Sequence, residues 1–234
     1  ARPLRHPCAA RGDAHLFRAG RTASCYSFPF MPRIAGPDLM SPSPSPALAA
    51  LRDATRDLHA ELDRRSPLGD DDLDDRAYLD HAGRILGWLE PLERALRDNR
   101  SGWPAALRAD ARLVKSAWLE SDLLAGGMSR AQVEALPRCA DLPNATRAAE
   151  VFGVAYVMEG ATLGGAYLYK RLAPRLPGLP LQWLQGYGQA TGVRWQEFLE
   201  QLARQIDSPE AIGLAQDAAQ ATFLSFRRWV LDEA

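Results

Sequence analysis

The sequence of 234 residues predicts an all-α protein. From Ala47 onward, apolar residues recur three and four positions apart, which is the spacing of one helical face. Alternating β-branched residues, which are typical of strands, are few, and prolines or glycines separate the periodic segments. The length and composition fit one globular domain without a sheet.

Seven helices are predicted, and they follow one another with recognisable start and stop signals. Ser66 and Pro67 end the first helix, Pro91 is expected to kink the second, and Gly126-Gly127 ends the third. The predicted helices span residues 47–65, 74–99, 104–124, a short segment after Ser129, 144–172, 181–206 and 209–231.

Caps and bulky residues support the later helices. Ser129 is predicted to cap the short fourth helix, and Asn144 is predicted to cap the long fifth one, which ends before Pro174. The last two helices supply aromatic side chains to the core: Trp195, Phe198, Phe223, Phe226 and Trp229.

The long fifth helix is unusual in its glycines, each of which costs about 1 kcal/mol relative to alanine inside a helix. Gly153, Gly160 and Gly164 are spaced by seven and four residues, so they lie on one helical face. Either a flat ligand or a second helix must lie against this strip of nearly bare backbone. The glycines alone favour neither.

Charge and motifs exclude several classes of function. The formal net charge of −1 gives no basic surface for nucleic acid or an anionic membrane. The most apolar run, 151–167, contains Glu159 and many glycines, so a soluble protein is predicted. The three cysteines lack metal-ligand spacing and suit a reducing cytoplasm, and there is no phosphate loop, nucleophile elbow or Glu-x-x-His pair.

The first 46 residues differ in composition from the rest. The first forty contain arginine but neither lysine nor glutamate, and they show no sustained period. We expect residues 1–46 to be a disordered leader or a non-native extension ahead of a start at Met31 or Met40, closed by a Ser/Pro spacer. Residues 47–234 are then the folded domain.

The folded part contains only two histidines, His59 and His81. His59 lies at the edge of the apolar stripe of the first helix, where it is either a partly buried structural residue or a ligand. A porphyrin held between this helix and residues 160–165 would explain both the histidine and the glycines.

Two segments resemble the haem oxygenase family. Residues 55–62, Thr-Arg-Asp-Leu-His-Ala-Glu-Leu, resemble the helix whose histidine binds haem iron, and residues 156–170 resemble the distal helix. The likeness is closer to the bacterial branch that makes biliverdin for bacteriophytochromes, and it extends from about Leu48 to the C-terminus. Weaker likenesses lie at 118–123, 194–198 and 223–229.

The resemblance implies an all-α domain with haem b, both substrate and cofactor, between a proximal and a distal helix. It implies cleavage of haem with O2 and an external donor such as ferredoxin or ascorbate, giving biliverdin, CO and ferrous iron, with a bacteriophytochrome as recipient. His59 is implied as the iron ligand and Lys170 as a propionate partner. The other implied site residues are Gly160, Thr162, Gly164 and Gly165 for catalysis, and Tyr156, Glu159, Arg56 and Arg194 for haem binding.

Ala161 departs from the family pattern, because many members carry an aspartate there that organises a proton-donating water network. Thr162, Tyr156, Glu159 or backbone-held water are the alternatives. A haem carrier or sensor without turnover is therefore a second hypothesis. A third is a structural protein whose glycines serve helix packing alone.

Overall fold

A computed structural model describes residues 44–98 and 103–232, and every regular element in these ranges is helical. The all-α prediction is confirmed, whereas the expectation for residues 1–43 lies outside the described residues. The α-helices are α1 Pro46–Arg65, α2 Asp75–Asp98, α3 Ala109–Arg112, α4 Lys115–Ala125, α5 Arg130–Glu134, α6 Ala148–Leu172, α7 Gln182–Gln185, α8 Thr191–Gln205 and α9 Pro209–Phe226.

The start of α1 includes the last two residues of the predicted Ser/Pro spacer. Ser45 is the N-cap, and its side chain accepts a hydrogen bond from the amide of Leu48 at 3.3 Å. Pro46 occupies the first helical position, where a missing N–H is harmless. These two residues therefore belong to the helix start.

Three other helices match their predicted bounds closely. Helix α2 runs through Pro91, and α5 begins after Ser129 with a complete capping box to Gln132. Helix α9 is capped by Ser208 and continues as a π-helical segment, Arg227–Asp232.

The predicted third helix was wrong as a single element, because it is broken into a 3-10 turn (Ala105–Leu107), α3 and α4. Arg108 adopts a left-handed φ of 45°, which interrupts the helix. The start of α4 is then capped by the buried carboxylate of Glu93 on α2. It accepts the amide of Lys115 at 2.8 Å and the hydroxyl of Ser116 at 2.6 Å.

Asn144 does not cap the long helix, which begins at Ala148 after Arg147. The carboxylate of Glu150 accepts the backbone amides of Thr146 and Arg147 at 2.9 and 3.0 Å. A glutamate three residues into the helix thus satisfies the amides that an asparagine cap was expected to satisfy.

The predicted helix 181–206 is also split, into α7, a 3-10 turn (Gly188–Ala190) and α8. Gly186 and Gly188 have φ values of 57° and 59°, which glycine adopts without steric cost and which end α7. The carboxylate of Asp122 on α4 accepts the amides of Gln182 and Trp183 at 2.6 and 3.1 Å.

Helix α6 is the centre of the fold and packs against α7, α8 and α9, while α1 packs against α9. By length and hydropathy alone α6 could cross a membrane. However, 61% of its most apolar window is buried inside the protein, as in the core helix of a soluble protein. Its position gives it one face toward α9 and another toward a cleft.

Candidate functional site

A deep cleft opens between α1, α2, α6 and α9, with an empty volume of about 1510 Å³ including the part open to solvent. Tyr167, 51% exposed, and the half-buried Ser66 and Arg171 mark where the cleft meets solvent. The remaining lining is mainly apolar and includes Leu62, Leu68, Ile85, Trp88, Leu89, Val157, Leu168, Phe223 and Phe226. Such a lining favours a large, mostly apolar ligand.

The α1 wall carries His59, which lines the cleft together with Asp63 one turn later. Nδ1 of His59 lies 3.2 Å from Oδ2 of Asp63, and the imidazole centroid is 5.8 Å from the ring of Phe223. Carboxylates commonly hold the second nitrogen of metal-binding histidines in this way, which fixes the ring orientation. The hydrogen bond with Asp63 and the contact with Phe223 therefore both hold the imidazole in place.

The α6 wall carries the predicted distal residues. Tyr156, Gly160, Thr162, Gly164 and Gly165 all line the cleft. A Cβ built on Gly160 meets no atom within 4 Å, so the cleft side of this residue is open. The backbone can approach a ligand closely there.

Glycine packing explains other positions on the same helix. A Cβ on Gly153 would lie 2.2 Å from the carbonyl oxygen of Ala215 on α9, and one on Gly165 would lie 3.4 Å from that of Leu184 on α7. Both interpretations of the glycines therefore hold, each for different residues: Gly153 serves helix packing, Gly160 faces the cleft, and Gly165 does both.

Glu159 precedes Gly160 but does not line the cleft. Its carboxylate binds Nη1 of Arg112 at 2.7 Å, Nζ of Lys115 at 2.9 Å and the hydroxyl of Tyr187 at 3.0 Å. Lys115 also donates to Tyr187 at 2.8 Å. We call Arg112, Lys115, Glu159 and Tyr187 the ion cluster. It ties α6 to α3, α4 and the turn after α7.

Burial dominates the titration of the ion cluster. It lowers the pKa of Lys115 below its usual value, although the neighbouring Glu159 opposes the change, and it raises the pKa of Tyr187. Both charges of the Lys115–Glu159 pair are buried and hydrogen-bonded, so removal of Glu159 leaves the buried amine of Lys115 without its carboxylate, whereas Glu159 without Lys115 keeps Arg112. The cluster is therefore a rigid attachment point for α6.

The predicted basic partners lie away from the cleft. Lys170 is exposed, Arg56 pairs with Asp53 on the outer side of α1, and Arg194 lies 5.1 Å from the ring of Tyr187. Arg171, which the sequence analysis did not single out, lines the cleft instead, and it donates to the carbonyl of Leu68. The signal was its spacing of seven residues from Gly164, which puts both on one face.

His81 of α2 is a second histidine in the cleft wall and is 6% exposed. Burial, with a smaller contribution from Arg84, lowers its pKa to about 4. The imidazole is therefore neutral at pH 7. Lys115 also lines the cleft, through a side chain whose amine belongs to the ion cluster.

A family model described as "Heme oxygenase" matches residues 45–232, nearly all of the described chain. The chain belongs to the haem oxygenase family. No curated protein and no solved structure matches it. Members of this family are oxidoreductases that bind and degrade haem.

The cleft of this haem oxygenase fits the ring that its family binds. The α1 wall carries His59, whose ring is oriented by Asp63. The α6 wall carries Gly160, where an added Cβ would meet no atom within 4 Å. Arg171 lies near the solvent end of the cleft. Between these walls the lining is apolar, as a porphyrin face requires.

Proposed function

We propose that this haem oxygenase cleaves haem with O2 and electrons from an external donor, and that it releases biliverdin, CO and ferrous iron. The observation that carries the proposal is that His59 and the glycines of α6 line one cleft. Haem supplies the redox chemistry when bound, while the chain binds it, orients it and limits water around it.

We assign His59 as the iron ligand through Nε2, because Nδ1 is bonded to Asp63. Gly160 and Gly164 leave room above the ring, and Thr162, Gly165 and Tyr156 complete the same wall. The Gly160 wall admits a small gas molecule while side chains elsewhere exclude bulk water.

We assign Arg171 as the propionate partner in the place first given to Lys170, because Arg171 lines the cleft close to solvent. A guanidinium can hold a carboxylate with two parallel hydrogen bonds. Glu159 is assigned a positioning role through the ion cluster. Arg56 and Arg194 are given no contact with haem.

The test is an absorption titration of the purified protein with hemin, followed by ascorbate or a ferredoxin reducing system and a CO trap. We expect a Soret band that decays as biliverdin absorption grows and CO is captured. His59→Ala should lose the axial-ligand spectrum, whereas Arg64→Gln, an exposed change on α1, should behave as wild type. A Soret band that is identical in His59→Ala would refute the ligand assignment.

A haem carrier or sensor is the second candidate, and Ala161 is the observation that favours it, since no carboxylate follows Gly160. In that case the same titration gives a stable Soret band after reductant is added. Neither biliverdin nor CO is then formed.

The resemblance to the bacterial branch supports a finer proposal: a cytoplasmic enzyme acting on haem b that passes biliverdin to a bacteriophytochrome. The test is to mix the reaction with an apo-bacteriophytochrome and to measure its red-absorbing holoprotein. A yield no greater than with free biliverdin at the same concentration would argue against direct transfer.

A further inference from the structure

Two of the three side chains proposed from sequence for proton delivery have other partners, and the third, Tyr156, is a poor proton donor because burial raises its pKa. Glu159 is held in the ion cluster. Thr162 donates its hydroxyl proton to the carbonyl of Met158 at 2.9 Å. None of them replaces the carboxylate that Ala161 lacks.

Neither ring nitrogen of His81 has a hydrogen bond or ion pair within residues 44–98 and 103–232. Its side chain lines the cleft and is 6% exposed. The ring nitrogens of His81 are not among the fully buried polar atoms that lack a hydrogen-bond partner. The imidazole nitrogens therefore face the space of the cleft.

The neighbours of His81 locate it within the cleft. Tyr78, one turn earlier on α2, donates to Asp122 at 2.8 Å, and Asp122 accepts the amide of Trp183 at 3.1 Å. Trp183 lines the same cleft, and its helix α7 packs on α6 beside Gly165. His81 and Trp183 thus line the same cleft as the glycines of α6 at 160, 164 and 165, whereas His59 lies on α1.

A neutral imidazole has one N–H donor and one nitrogen acceptor. Burial keeps His81 in this form at pH 7. A buried water needs two or more polar partners and a space larger than itself, and the cleft is far larger. The imidazole and the backbone of α6 that the glycines leave bare supply such partners.

Resting on the proposed function, we propose that His81 is a positioning residue that holds a water molecule in the cleft. This water donates a hydrogen bond on the side of the haem that faces Gly160 and Ala161. It performs the ordering that an aspartate at position 161 would perform. His81 acts through the water and does not bind the iron.

The experiment uses the full chain loaded with haem, reduced, and exposed to CO as a probe. The C–O stretching band is measured by infrared spectroscopy in H2O and in D2O, because a hydrogen bond to CO lowers its frequency and makes it sensitive to deuterium. The variants are His81→Leu, which removes the polar group, and His81→Asn, which keeps one. Asp80→Asn, at the exposed residue directly before His81 on α2 and outside the cleft lining, is the matched control.

We expect a deuterium-sensitive band in wild type and Asp80→Asn. The band should move to higher frequency and lose this sensitivity in His81→Leu, with an intermediate band in His81→Asn. Biliverdin formation should fall about tenfold in His81→Leu, as for the loss of one hydrogen bond, and less in His81→Asn. The Soret band of the ferric complex and the haem stoichiometry should not change.

An identical band and deuterium response in wild type and His81→Leu overturn the inference. If His81→Leu does not fold, as judged by circular dichroism, an unchanged band in His81→Asn overturns it. A His81-dependent band without biliverdin formation supports the water position and refutes the oxygenase proposal. Failure of wild type to bind haem refutes both.

Discussion

Gly153 and Gly160 lie two turns apart on one helix, yet they have opposite surroundings. A side chain on Gly153 would collide with the backbone of α9, whereas one on Gly160 would meet nothing within 4 Å. The same residue type therefore brings two helices together at one position and leaves a ligand surface open at the other. Glycine spacing predicts close approach, but the partner depends on what lies opposite.

Glu159, between these two glycines in the sequence, holds α6 through the ion cluster. Its removal should have the largest effect on stability. Glu159→Ala leaves Lys115 buried without its carboxylate and leaves Arg112 with only the exposed Glu197 at 3.6 Å, so we expect a loss of about 3 to 5 kcal/mol in the free energy of unfolding. Urea denaturation measures it. Glu200→Ala, at an exposed pair with Arg204, is the control, with an expected loss below about 1 kcal/mol. Equal losses would mean that the ion cluster does not anchor α6.

His81, which lines the open cleft, should make the stability of the haem-free protein depend on pH. The pKa of His81 is about 4 in the folded protein, below the ordinary histidine value of 6.5, so the unfolded chain binds the extra proton between these values. The contribution of His81 to stability is therefore fully present above pH 6.5. About 3 kcal/mol of it is lost as the pH falls toward 4.

Urea midpoints measured from pH 7 to pH 4 test this, and His81→Leu should lose that part of the slope. The acidic groups of the chain contribute to the slope in both proteins, so the difference between them is the relevant quantity. An identical slope would show that His81 is not desolvated in the folded state.

Gly153→Ala should disrupt the packing of α6 against α9. The added Cβ would lie 2.2 Å from the oxygen of Ala215 and 2.9 Å from the Cβ of Ala218, so α6 and α9 must separate. We expect a loss of about 2 kcal/mol, since overpacking outweighs the gain in helix propensity. Thermal or urea unfolding measures the change, and an increase in stability would contradict the contact.

Gly160→Ala should have the smallest effect, and in the opposite direction. Without a clash, alanine should stabilise α6 by up to about 1 kcal/mol. The same methyl group points into the cleft, so hemin should bind more weakly in an absorption titration. Unchanged hemin affinity would contradict the assignment of Gly160 to the haem wall.

Most helix positions could be predicted from sequence, because caps and apolar spacing are local signals. The start of α5 at Ser129 and the extent of α2 follow from them. The break between α3 and α4 was missed, because the start of α4 is capped by the buried carboxylate of Glu93 from another helix. No local pattern reports such a contact.

The site shows the same division between local and long-range information. His59 and Gly160 were recognised from their segments, and both line the cleft. Lys170 was named from the resemblance and Arg171 was not considered, although a helix turns by about 100° per residue and adjacent side chains therefore face different surroundings. The role of Glu159 could not be read from sequence, because Arg112, Lys115 and Tyr187 are distant from it along the chain.

The burial of Lys115 has a practical consequence for labelling. The chain contains two lysines, and the amine of Lys115 is enclosed in the ion cluster, whereas Lys170 is exposed. An amine-reactive fluorophore should therefore attach to one side chain, the neighbour of Arg171. Haem absorbs strongly in the visible range, so a dye at Lys170 would be quenched as the cleft fills. Lys170 is thus the lysine at which a dye would report the occupancy of the cleft.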